Sequence, residues 1–179
     1  MHFAFVSGNP ALDLVATVES RRDRPRDLLT TPGDLEQWVL ACDELPDQVS
    51  ADATALAGAV QLREAIHRLA VDRMHGRRYE PAGLDVLNTV AAGPPPALRL
   101  GDAGIRRTGD VASALAHIAR RAITLLADPH TCLKECGRPS CTRLYLDRSR
   151  GTRRTWCGMQ ACGNRVKAAA YRARKHTTP

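Results

Sequence analysis

Four cysteines constrain this chain more than any other feature. Cys136 and Cys141 form one pair and Cys157 and Cys162 another; four residues lie inside each pair and fifteen between the pairs. Cysteine thiolates suit tetrahedral zinc, and two local pairs let two turns deliver two sulfurs each. Gly137, Gly158 and Gly163 follow three of these cysteines directly. Glycine permits the tight backbone that brings amides close to thiolates. Cys132 could stand in for Cys136, with His130 nearby, but the matched spacing and the shared Cys-Gly start favour Cys136. Four thiolates leave no open coordination position, so one structural zinc is expected and a catalytic one is not.

The charge follows the same division of the chain. Residues 130–179 hold twelve Lys/Arg and two Asp/Glu, a balance of +10, whereas residues 1–129 hold fourteen and seventeen, a balance of −3. A concentrated positive patch is the footprint of a polyanionic partner. Aromatic residues make up 4% of the sequence, so the core must be built from Leu, Val, Ile and Ala, a composition that favours helices. A secretory leader and a membrane span are not expected, which places the chain in the cytoplasm with reduced cysteines.

Patterning along the chain predicts a mainly helical α+β protein. Residues 12–18 alternate Leu12, Leu14, Ala16 and Val18 against Asp13, Val15 and Thr17, a period of two that suggests a strand, with a short helix as the alternative. Asp34 is the expected cap of a helix carrying Leu35, Trp38 and Val39. A long helix follows from about Asp52 to His75, with Leu62, Ile66 and Leu69 on its apolar face. Pro81 opens another. Residues 97–110, in which Leu98 and Leu100 alternate and so do Ile105 and Arg107, suggest a β-hairpin able to pair with the N-terminal strands. Asp110 caps a last helix with Val111, Leu115, Ile118, Ala122 and Leu125 on one side. These features set a domain at 1–129 and a metal module at 130–179.

Within the module, Thr142–Asp147 alternates as a strand would, and Arg153–Trp156 leads back to the second cysteine pair. A hairpin between two knuckles, then a helix from about Asn164, is the order of a treble-clef-like zinc fold. On that helix Val166, Ala169, Ala170 and Ala173 can face the module. Arg165, Lys167, Arg172, Arg174 and Lys175 project elsewhere. With Arg153 and Arg154 they are the candidate nucleic-acid contacts, since Lys and Arg neutralise phosphates and release counterions.

The stretch Trp156–Lys167, with Cys162-Gly163-Asn164-Arg165 at its centre, resembles the signature of the CGNR zinc finger. Leu144–Ser149 is similar to that family's hydrophobic-Asp-x-Ser segment. The resemblance implies zinc at Cys136, Cys141, Cys157 and Cys162, and DNA binding. Gly8–Val18, Asp27-Leu28-Leu29, Asp34-Leu35 with Trp38, and Leu62–Ile66 resemble the ABATE domain, which precedes such fingers and is assigned to stress-induced transcription regulation. One departure is visible: Ala16-Thr17 stands where that family tends to carry Asn-Thr.

No Ser/His/Asp set, phosphate-cradling Gly-rich loop or paired catalytic carboxylates stand out, so an enzyme is not expected. The expectation is a zinc-binding transcription regulator. Its finger contacts DNA, and its N-terminal domain senses a signal, such as a small-molecule effector, or mediates association, such as homodimer formation. The alternatives are an RNA-binding module, which the scarcity of aromatics for base stacking disfavours, and a protein-interaction module whose basic helix docks on an acidic partner or on the first domain. Arg63 and Glu64, beside the apolar stripe, could line a pocket or pair with neighbouring helices.

Overall fold

A computed structural model describes residues 3–176; the side chains of Ala161, Ala170, Tyr171 and 173–176 lie outside that description. The chain is mainly helical with three small two-stranded antiparallel sheets. Its first helix, α1 (Pro10–Val15), occupies the segment whose alternation suggests a strand. Every residue from Pro10 to Val15 is buried. With all sides covered, no polar face exists to mark a helical period, and the alternation carries no information. The local signal is the cap instead. Asn9 accepts from the Ala11 amide at 2.8 Å, and Pro10 sits in the first turn, where its missing N–H costs nothing.

β1 (Val18–Glu19) pairs with β2 (Arg26–Asp27), and α2 (Pro32–Leu40) follows. Thr31, not Asp34, caps α2. Thr31 and Asp34 form a reciprocal capping box in which Asp34 is the third helical residue and its carboxylate accepts from the Thr31 amide at 2.8 Å. The long helix α3 (Ala53–Met74) is capped by Asp52, α4 (Pro81–Ala91) opens with Pro81, and α5 (Val111–Ala127) is capped by Asp110. These three pack on one another, and α1 lies against α3 and α5. Leu62, Ile66 and Leu69 of α3 meet Leu115, Ile118 and Leu125 of α5 in a single core. Each such burial contributes about 1.5–3 kcal/mol. Arg120 of α5 donates to the Ala91 and Gly93 carbonyls, both at 2.9 Å, and so closes the C-terminus of α4.

The hairpin of β3 (Ala97–Gly101) and β4 (Gly104–Thr108) forms with Leu100 opposite Ile105. It stands by itself and does not join the N-terminal strands, whose short β1 is already paired with β2. In the last third, β5 (Leu133–Glu135) pairs with β6 (Leu144–Leu146). The finger's hairpin thus wraps the first cysteine pair, rather than joining 142–147 to 153–156. A single π-helical turn (Met159–Gly163) leads into α6 (Asn164–His176).

β6 links the two halves. Leu144 and Leu146 are buried in the core built by α1, α3 and α5, and the Leu146 amide donates to the Ser7 carbonyl at 2.8 Å. Two leucines of 130–179 thus enter the core of the helical part, while the four cysteines, Tyr145 and Trp156 form a second cluster within the finger.

Candidate metal centre

The β5–β6 connection and the π-helical turn place the cysteines. Cys136 follows β5, Cys141 precedes β6, and Cys157 and Cys162 flank the start of the π-helical turn. The four Sγ atoms all lie within 4.8 Å of one another, and all four residues are buried. Cys141 and Cys157 are 3.9 Å apart at sulfur, Cys157 and Cys162 3.6 Å. Zinc–thiolate bonds of about 2.3 Å in a tetrahedron give sulfur–sulfur edges of about 3.8 Å. A disulfide would need about 2.05 Å. The cluster is thus shaped for one tetrahedral ion, and these four thiols form a site that could bind one zinc. Cys132 is outside it; its carbonyl accepts from the Asp147 amide at 2.8 Å.

Packing four thiols this closely sets them against one another. The hydrogen bond from Cys157 lowers the Cys141 thiol to about 4, and the same bond pushes Cys157 far up. Burial raises Cys162 to about 11. Four thiolates at this separation need a divalent cation between them.

The glycines serve the centre sterically. A Cβ on Gly137 would sit 2.9 Å from Thr155 Cγ2, and one on Gly163 would sit 2.6 Å from Met159 Sδ. Their amides donate to carbonyls, Gly137 to Thr155 at 2.9 Å and Gly163 to Gly158 at 3.0 Å, rather than to sulfur. The amide aimed at a sulfur belongs to Cys157, 3.5 Å from Cys136 Sγ. Gly158 has open space around it and none of this crowding.

A polar hub beneath the cluster escapes sequence reasoning. The Asp147 carboxylate is fully covered and accepts from Lys134 Nζ at 2.7 Å, Ser149 Oγ at 2.6 Å, and the amides of Ser149 and Arg154 at 3.0 and 2.9 Å. Burial would raise its pKa, but Lys134 and Ser149 hold it far below the usual carboxylate range. The Asp-x-Ser spacing was the one signal in the sequence; Lys134, thirteen residues upstream, was not legible.

The candidate nucleic-acid contacts separate into groups. Arg153, Arg165, Lys167 and Arg172 are exposed. Arg154 is half-buried: it stacks 4.6 Å over the Tyr145 ring and donates to the carbonyls of Trp156 at 2.8 Å, Val6 at 3.2 Å, and Cys157. These bonds tie the second cysteine pair to the N-terminal segment. The side chains of Arg174 and Lys175 lie outside the described residues. Arg165 and Arg172, seven apart, share one face of α6, and Lys167 projects about 200° round from Arg165.

Arg63 and Glu64 pair with neighbouring segments. Arg63 binds both Asp27 carboxylate oxygens at 2.7 Å and Glu64 at 2.9 Å. Glu64 accepts from Arg21 at 2.7 Å, and the Arg21 amide donates to Thr142 Oγ1 at 3.0 Å, so the network ends on the finger.

Comparison with known families agrees with this geometry. The model of the ABATE family, described as "Putative stress-induced transcription regulator", matches residues 8–129. The chain belongs to the ABATE family. The CGNR zinc finger model matches residues 133–175, the segment that carries the cysteine cluster. Comparison with curated proteins gives no match. In this ABATE chain Thr17, beside the Ala16 departure, donates to the Leu14 carbonyl at 2.7 Å and accepts from Arg63 at 3.2 Å. Neither family is of an enzymatic type. Among the described residues no helix is long and apolar enough to cross a membrane.

Proposed function

We propose that this ABATE chain is a DNA-binding transcription regulator whose CGNR finger presents α6 to duplex DNA. In this reading the ABATE part senses a signal or mediates association. The observation that carries the reading is the state of α6. Arg165, Lys167 and Arg172 are exposed, and the helix packs on the π-helical turn before it. Among the described residues it makes no comparable contact with the helices of the ABATE part. A helix so placed, in a segment of +10 balance, can lie along or enter a groove. Arg153 projects from the loop after β6 on the same module, while Arg154 would act by holding the second cysteine pair in position.

Fluorescence anisotropy of the zinc-loaded chain against labelled genomic duplexes tests this. Affinity is expected to fall steeply with salt, and Lys167→Ala with Arg172→Ala to reduce the log–log salt slope by about 2. Absence of binding to duplex and single-stranded DNA at low salt rejects the reading. Preference for structured RNA in competition transfers it to RNA.

A further inference from the structure

A cavity of about 320 Å³ lies where the ABATE part meets the finger. One wall is the end of α1 and the β1–β2 loop, with Ala16, Glu19 and Ser20. The other is the finger, with Arg138, Thr142, Arg143 and Arg165, and with Cys141 and Cys162 of the thiolate cluster at its back. We propose that this cavity binds a small phosphate-bearing anion.

Three guanidinium groups line one cavity, opposed by the Glu19 carboxylate and by the cysteine cluster, of which Cys141 and Cys162 reach the lining. Arg143 Nη2 is 3.7 Å from Glu19 Oε1, and Nη1 is 3.9 Å from Cys157 Sγ, so it faces the thiolate cluster. Glu19 is already shared with Arg26 at 3.3 Å. Arg138 and Arg165 have no anionic partner among the described residues. The Nε atoms of Arg138 and Arg143 are buried without a hydrogen-bond partner among those residues. A buried guanidinium N–H left without an acceptor is costly; a water can satisfy it, as it can the Nε of Arg21 and Arg121, and so can an oxygen of a bound anion.

Ser20 adds an independent sign. Its φ of 52° is in the left-handed region, where non-glycine residues cost free energy and cluster at binding sites. Its hydroxyl donates to the Ser140 carbonyl at 3.1 Å, so this strained residue holds the two walls together. Thr142 Oγ1 accepts from the Arg21 amide, which leaves its own O–H to donate into the cavity.

The chemistry selects phosphate over carboxylate. Guanidinium groups from three positions, with a hydroxyl donor, match an oxyanion with three or more oxygens better than a flat two-oxygen group. The volume admits a phosphate carrying a few further heavy atoms. A DNA backbone phosphate can reach exposed Arg165 at the rim. It cannot follow to Arg143, whose side chain is only 12% exposed between the two walls. Such a ligand would compete with Glu19 for Arg143 and so act on the contact between the ABATE part and the finger. That purpose rests on the regulatory reading above, but the site's existence does not.

The test is isothermal titration of the zinc-loaded full chain with inorganic phosphate and with glycerol 3-phosphate, against chloride at equal ionic strength. Saturable binding is expected. Arg143→Gln and Arg138→Gln should each weaken it at least about tenfold, while a change at exposed Arg150, Arg150→Gln, leaves it unchanged, with zinc content measured for every variant. No saturable binding overturns the proposal, as does an equal loss in Arg150→Gln, which would mean general basic-surface attraction. If Arg143→Gln loses zinc, the zinc-retaining Arg138→Gln decides. Duplex DNA binding is measured in parallel; loss of DNA binding in Arg138→Gln with no phosphate binding by the parent chain would assign the cavity to the nucleic acid and overturn it. Phosphate binding by a chain that binds no DNA would support the site while rejecting the DNA reading.

Discussion

Arg63 is 3% exposed yet fully charged, while its two carboxylate partners, Asp27 and Glu64, are 36% and 37% exposed at the side chain. The pair is therefore unequal. Removing Asp27 strands a buried cation with only Glu64 and Thr17; removing Arg63 leaves carboxylates that water can reach. Asp27→Ala is expected to cost about 3 kcal/mol and Arg63→Met about 1 kcal/mol. Urea denaturation of the zinc-loaded proteins measures both, and a larger loss in Arg63→Met would sink the account. Sequence pattern could place Arg63 beside the apolar stripe of α3. It could not show that Asp27, thirty-six residues earlier, would be the partner. The four cysteines were legible because their chemistry needs no long-range information, whereas the role of Arg154 depends on Tyr145 and Val6 meeting it in space.

Helices read well from sequence where one face stays wet. The stripes of α3 and α5 and the cap at Asp110 are found as the pattern implies, and Asp52, within the stretch expected to open α3, is its cap. α1 was obscured because it is buried on every side, and the finger's hairpin because β6 finds its partner before the first cysteine pair rather than after it. Within α3, His67 gives the element a pH signature. Burial, aided by the Arg21 charge, lowers its pKa from 6.5 to about 4. The folded state thus holds His67 neutral while the unfolded chain takes up a proton below about 6.5. Its contribution is complete above that pH and is lost as pH falls toward 4. Asp13 works in the opposite sense: burial raises it to about 6, so its carboxylate destabilises the fold as pH rises from 3.8 to 6. His67→Gln should therefore flatten the fall in melting temperature between pH 6.5 and 4, a difference on the order of 2 kcal/mol by the lower end. Parallel curves for variant and parent would show that His67 is not held neutral by the fold.

At the scale of the whole molecule, the metal centre and the helical core are bound through a few shared groups. Leu144 and Leu146 belong to the core, Leu146 bonds to Ser7, Arg154 to Val6, and Arg21 to Thr142. The composition shift near residue 130 falls where the two family matches meet, but it tracks charge, and charge describes surfaces. It is blind to two leucines of β6 that cross into the helical core. Zinc binding to such a site supplies apparent stabilisation on the order of 10 kcal/mol at neutral pH. That energy should reach beyond the finger, since α1 packs directly on β6. Removing zinc with a chelator, or substituting Cys157→Ser, is expected to raise amide hydrogen exchange in α1, at Leu12 to Val15, as well as in β6. Thermal unfolding of the loaded chain should show one transition. If exchange rises only after residue 130 and α1 keeps its protection, the shared core transmits little, and the finger folds as a unit of its own.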